Sequence, residues 1–176
     1  EGELLGLMWD CVDFDKGTIL VNKQLHRSQK KGEGYYFSPP KNNKSRTIRP
    51  APYVMTLLRQ QKLVQTQMRL AAGPAWQESG LVFTNEFGRY ISLRAVFDCF
   101  KRTVRKVGLP NLRIHDLRHT YAVNSIRAGD DIKTVQSNLG HATAAFTLDV
   151  YGHFTDDMRQ ASSQRMERFI SGVLGL

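Results

Sequence analysis

The sequence predicts an α+β fold, mostly α-helical, with one small antiparallel sheet near the N-terminus. Three observations carry that expectation. Between residues 10 and 52 the chain alternates in polarity, is rich in β-branched residues and is broken by turn residues. From residue 53 onward, apolar residues recur at helical spacing in several separate segments. The last of those segments opens on a helix start, Thr155 followed by Asp156 and Asp157, an N-cap and two acids that complement the helix dipole.

The elements follow in order. Residues 3–9 read as the end of a helix, with Leu4, Leu5, Leu7 and Met8 apolar. "GTILVNKQL" reads as a strand, and "GYYFSPP" and "RTIRPAP" as two more, separated by the turn "KNNKS". Residues 53–72 return to helical spacing, with Val54, Leu57, Leu58, Val64 and Met68 near one face. "GLVFTNEFGRY" reads as a short extended piece and a turn. Helices are expected over 92–107, 115–128, 131–139 and 143–151, and a last one after Thr155 with Met158, Ala161, Met166, Phe169, Ile170 and Val173 as its apolar stripe. There is no internal repeat and no low-complexity tract.

The 176 residues suffice for one domain with a sizeable core. No apolar run approaches the roughly 20 residues of a membrane span, and the opening "EGELLGLMWD" has no basic signal-peptide region. That opening reads as the inside of a helix, as expected of a fragment cut from a longer chain. Two cysteines, Cys11 and Cys99, do not make a disulfide framework, so a reducing, cytoplasmic setting is expected. Net charge is +9. Such a balance favours an anionic partner, with nucleic acid the usual one. The charge is concentrated: Lys23, Arg27, Lys30, Lys31, Lys41, Lys44, Arg46 and Arg49, against Glu33 alone, place +7 of it between residues 23 and 49. Beside Tyr35, Tyr36 and Phe37, that stretch suits a phosphate backbone. A solvated basic hairpin would have the same composition.

The chemistry-bearing stretch is "HDLRHTYA", residues 115–122. His115, Arg118 and His119 stand at i, i+3 and i+4, so a helix puts them on one face. A zinc pair would use the same histidine spacing. However, Arg118 would set a fixed positive charge beside the cation, and no nearby Cys or Glu offers a third ligand, so no metal is expected. A phosphate clamp, or two histidines satisfied on an ordinary helix, are the other readings. Further along, "LGH" places His141 after a Gly turn, and "TLDVYGHF" places Tyr151 ten residues beyond it. Each piece alone is weak, but the ordered set is specific.

With "HDLRHTYA", "LGHATAAFTLDVYGH" and the opening "EGELLGLMWDCVDF", the chain resembles the catalytic domain of tyrosine recombinases, in the phage and conjugative-transposon integrase branch. The resemblance spans the whole chain. It implies that family's mostly helical DNA breaking-rejoining fold, with residues 1–176 as one catalytic domain, a separate core-binding domain lying outside it, and residues 155–176 as a C-terminal helical tail. It also implies site-specific recombination of double-stranded DNA, without metal, ATP or other cofactor. Tyr151 would attack a phosphodiester to form a 3′-phosphotyrosine. Arg118 would clamp a non-bridging oxygen, with His115 and His141 on the same phosphate. A lysine on the turn "PPKNNKSR" would be the general acid, Lys41 by the family pattern and Lys44 as the alternative. Glu3 and His119 would support the site, and Lys44, Arg46, Lys30 and Lys31 would contact DNA. The family's opening pattern is Arg-x-Gly-Glu, and its arginine would fall just before Glu1, so strand cleavage by these residues alone is expected to lack one half of the clamp. A homotetramer on DNA with exchanged tails is implied, with an excisionase or host accessory factor as a further partner. A repressor-type binding module, a type IB topoisomerase and a zinc hydrolase are the rival readings.

Overall fold

A computed structural model describes residues 1–28, 30, 34–40, 43–140 and 156–174. Two compact units divide the chain, Glu1–Ile114 and His115–Leu176. The first holds a short helix α1 (Gly2–Leu5), a 3-10 turn (Trp9–Cys11), and strands β1 (Val12–Asp13), β2 (Thr18–Val21), β3 (Gln24–Arg27), β4 (Tyr35–Ser38) and β5 (Arg46–Ile48). Helices α2 (Pro52–Ala72) and α3 (Leu93–Lys106) follow. The second unit holds α4 (Ile114–Ala128, whose first residue lies at the boundary), α5 (Ile132–Leu139) and α6 (Asp156–Leu174). The helix expected over 143–151 and the cap at Thr155 lie outside the described residues.

The β region differs from expectation in one respect. It is not one sheet but two: β1-β2-β5, antiparallel, and a separate β3-β4 hairpin. The single strand expected at 17–25 breaks at Asn22 and Lys23, residue types that strands disfavour. Before the break, Val21 pairs with Arg46; after it, Gln24 pairs with Ser38. β3 leaves the first sheet to seat α1. A Cβ on Gly2 would lie 2.9 Å from the Leu25 carbonyl oxygen, and one on Gly6 would lie 2.9 Å from the Leu25 nitrogen. Only glycine permits that approach of two backbones.

The core of the first unit gathers Leu7, Cys11, Val12, Ile19, Val21, Met55, Leu58 and Val82. Ile19 and Val21 face it while Leu20 between them faces out, the period of two that a half-buried strand requires. Each fully buried aliphatic side chain of this kind stabilises by about 1.5–3 kcal/mol. Burial pushes the Cys11 thiol above its usual range, and neighbouring Asp10 adds to the rise.

Helix α2 turns inward only part of the face its apolar residues outline: Leu58 is buried and Met68 half-buried, as expected. Val54, Leu57 and Val64 are exposed, and the buried side chains are Met55 and Leu58. Gln61 and Gln65 continue that inner face. Gln61 donates to the Val82 carbonyl at 3.1 Å and Gln65 to the Leu81 carbonyl at 2.9 Å. Gln65 also accepts from the Trp9 indole at 2.7 Å. Leu81 is bridged to Met8 and Val82 follows it, both fully buried, so their carbonyls need donors. The glutamines supply them, so two half-buried polar side chains share the inner face with Met55 and Leu58.

In the second unit the core is Ala122, Val135 and Leu139, with Ile126 against it. Asp131 caps α5, accepting from the Thr134 amide at 3.0 Å. The Thr134 hydroxyl and amide hold the Asp131 carboxyl below its usual range. Gly140 ends α5 in the left-handed region, φ 66°, where glycine carries no Cβ penalty. Among the described residues, no helix is long and apolar enough to cross a membrane.

Candidate active site

Helix α4 carries His115, Arg118 and His119 at the expected spacing. The two imidazoles meet edge to face, with ring centroids 5.1 Å apart. His115 is exposed, whereas Arg118 and His119 are half-buried. The Arg118 guanidinium donates to the Leu139 carbonyl through one terminal nitrogen. That contact ties α4 to the last residue of α5, immediately before the Gly140 turn that leads into His141. Asn138, in the same last turn, donates to the Tyr121 hydroxyl at 3.0 Å. The end of α5 is therefore held to α4 at two points. His141 and Tyr151 lie outside the described residues.

The first unit supplies the lysine turn. Lys41 lies outside the described residues, and Lys44 is exposed. The turn is shaped by the Asn43 amide donating to the Pro40 carbonyl at 3.0 Å. Asn43 has φ 51°, a left-handed conformation that asparagine tolerates better than most residues. Arg46, expected as a DNA contact, uses both terminal nitrogens on Glu3, at 2.8 and 2.6 Å. This is a bidentate ion pair, the stronger and more directional kind.

The β3-β4 hairpin gathers aromatic and basic groups. His26 stacks on Tyr36 with centroids 5.4 Å apart, Tyr90 packs against Tyr35 and Phe37, and the Lys23 ammonium lies 5.5 Å from the Phe37 ring centre. Tyr36 and Phe37 are exposed, as is Lys30; Lys31 lies outside the described residues. Sequence reading missed Tyr90, which comes 53 positions after Phe37 and carries no motif. It also missed the Glu3–Arg46 pair. The only local hint was the Gly2, Gly6 spacing, one helical turn apart on the element that bears Glu3.

These placements can be set beside known proteins. Residues 1–158 match the phage integrase family. The chain belongs to that family. It is 32% identical over 163 residues to a tyrosine recombinase XerC-like protein of Caldanaerobacter subterraneus, covering 87% of this chain and 42% of the relative. It is 26% identical over 172 residues to the ICEBs1 integrase of Bacillus subtilis, covering 94% of this chain and 44% of the relative. The Tn1549 transposon integrase, solved in complex with transposon right end DNA, superposes with a TM-score of 0.74 at 24% identity, over 94% of this chain and 54% of that one. That likeness shows the fold expected from the resemblance. The integrase-family chain thus spans less than half the length of these two curated relatives.

Proposed function

We propose that this integrase-family chain carries out site-specific cleavage and rejoining of double-stranded DNA through a tyrosine nucleophile. The observation that carries the reading is the α4 cluster, with His115 and Arg118 on one face and Arg118 bonded to the residue two before His141. These groups lie within residues 1–158, which match the phage integrase family, and the resemblance read from the sequence assigns them its phosphate-clamp roles. That match runs through both compact units, which supports reading residues 1–176 as one catalytic domain.

The chemistry follows from charge. A tyrosine hydroxyl has a pKa near 10, so Tyr151 must lose its proton as it attacks. The Tyr151 oxygen bonds to phosphorus, the bond to the 5′-oxygen breaks, and a 3′-phosphotyrosine remains. Negative charge gathers on the equatorial oxygens, where Arg118 and His141 stabilise it and His115 assists proton transfer. Lys41, with Lys44 as the alternative, protonates the departing 5′-oxygen. His119 supports His115 from the next turn of α4, and Glu3 acts through its ion pair. Because the phosphotyrosine retains a phosphodiester's bond energy, rejoining needs no ATP, and the cationic side chains take the role a metal would fill.

Lys30, Lys31 and Lys44 contact the DNA backbone, supported by their position in the densest positive stretch of the chain. On α6, Met166, Phe169, Ile170, Val173 and Leu174 are exposed. That apolar run supports a tail that docks on a neighbouring protomer in a DNA-bound tetramer. An excisionase or a host accessory factor would act on that assembly. The test is Arg118→Lys in the full-length protein. A lysine keeps the charge but loses the fork. Covalent adduct formation should fall about 10²- to 10³-fold while gel-shift affinity for the site holds. Unchanged cleavage would remove Arg118 from the mechanism. Relaxation of supercoiled DNA lacking any specific site would favour a topoisomerase instead.

A further inference from the structure

We infer that the Glu3–Arg46 ion pair is a positioning device for the turn at residues 39–45, rather than a part of the DNA-contact surface. The inference rests on the reading above, in which that turn carries the general acid. Arg46 is the first residue of β5 and directly follows the turn. Its fork spans both Glu3 oxygens, and its side chain is only 17% exposed, against 32% for Glu3. A solvent-facing phosphate ligand would present its fork outward. This one is spent inward on an element 43 residues earlier in the chain.

The other end of the turn is held from the same direction. Ser38, the last residue of β4, pairs with Gln24, and the Gln24 side-chain Nε2 donates to the Pro39 carbonyl at 2.9 Å. Gln24 and Leu25 are also the residues on which α1 sits, at the distances that exclude a Cβ on Gly2 or Gly6. The entry to the turn is therefore fixed to β3, β3 to α1, and α1 through Glu3 to Arg46 at the exit. Arg46 is fixed a second time by its pairing with Val21. The described residues at both ends of the turn, Pro39 and Arg46, are thus held by one set of elements. A proton donor must lie within hydrogen-bond reach of the leaving oxygen, and an error of about 1 Å can cost about 10²-fold. Glu3 and Arg46 are thus positioning residues that act through the lysine.

The leaving atom gives a readout that general loss of structure does not. An oxygen leaving group needs the lysine proton as its bond to phosphorus breaks. A 5′-bridging sulfur departs as a thiolate without it. The full-length wild type, Glu3→Gln, Arg46→Gln and the double variant would each be given two nicked substrates that differ only in that atom. Site affinity and melting temperature would be followed alongside. With oxygen, each single variant should form adduct about 10- to 100-fold more slowly, and the double no more slowly than either single. With sulfur, all should come within about threefold of wild type, at unchanged site affinity. Arg46→Lys, which keeps the charge and loses the fork, should give the same pattern and stands in if the glutamine variants melt early. Equal slowing on both substrates overturns the inference. So does a loss of site affinity with Arg46→Gln alone, together with a salt slope reduced by about one. A wild type that forms no adduct on either substrate overturns the function reading, and the inference with it.

Discussion

Gly6→Ala should destabilise the first unit although its backbone angles suit alanine. Gly6 has φ −90° and ψ 1°, so no left-handed strain is involved. The cost is steric. The new Cβ would lie 2.9 Å from the Leu25 nitrogen, 3.0 Å from the Gly2 oxygen and 3.1 Å from the Gln24 carbonyl carbon. All three are backbone atoms, and none can rotate away. Comfortable contact needs about 3.5 Å, so α1 and β3 must part by roughly half an ångström. Overpacking of this kind costs about 1–3 kcal/mol. For a protein of this size, each kcal/mol lowers the melting temperature by about 2–4 °C. Both tryptophans, Trp9 and Trp76, lie in this unit, so their fluorescence follows its unfolding. Gly172→Ala is the control. Nothing lies within 4 Å of its Cβ, and within α6 alanine should gain about 0.5–1 kcal/mol in helix content. A Gly6→Ala protein that melts with wild type would refute the close seating of α1 on β3.

Other outcomes follow from the same structure. Cys99 is exposed and Cys11 is buried with a raised pKa, so a thiol reagent at pH 8 should label one cysteine in the native chain and two after unfolding. Two rapidly labelled thiols would contradict the burial. The Asp131 carboxyl is held below its ordinary 3.8, so the α5 cap is fully effective above that pH and is lost as pH falls through the lower folded value. The Thr134 amide shift, followed by NMR, should move with a midpoint below 3.8, and Asp131→Asn should abolish the movement. A midpoint at or above 3.8 would show that the cap is not formed. Deleting residues 156–176 should leave single-site DNA binding intact and impair assembly of two sites into one complex. Unchanged synapsis would remove the docking role of α6.

What could be read in advance was local. Helices α3 and α5 fall where apolar periodicity alone placed them, over 92–107 and 131–139. His115 and Arg118 are legible because helical spacing alone puts them on one face. What the sequence hid depends on distant partners. Of the α2 face that periodicity favours, Leu58 and Met68 turn inward, but Val54, Leu57 and Val64 do not, because Gln61 and Gln65 face the carbonyls of Leu81 and Val82 instead. The break at Asn22 and Lys23 has a local signal, but the partner β3 then takes, α1, lies about 20 residues earlier and leaves none there. Arg46 reads as one more cation in a basic run, until Glu3 is seen across from it. Arg118 likewise shows its phosphate-clamp spacing in sequence but not its carbonyl partner 21 residues on.

The most direct test of the central claim is covalent capture. The full-length protein would be mixed, in EDTA and without ATP, with nicked suicide DNA bearing the element's own recombination site, beside Tyr151→Phe and His115→Ala. A protein–DNA adduct that survives EDTA, disappears with Tyr151→Phe and weakens with His115→Ala is the predicted result. A protein that binds the site tightly yet forms no adduct, or one whose adduct persists with Tyr151→Phe, would contradict it.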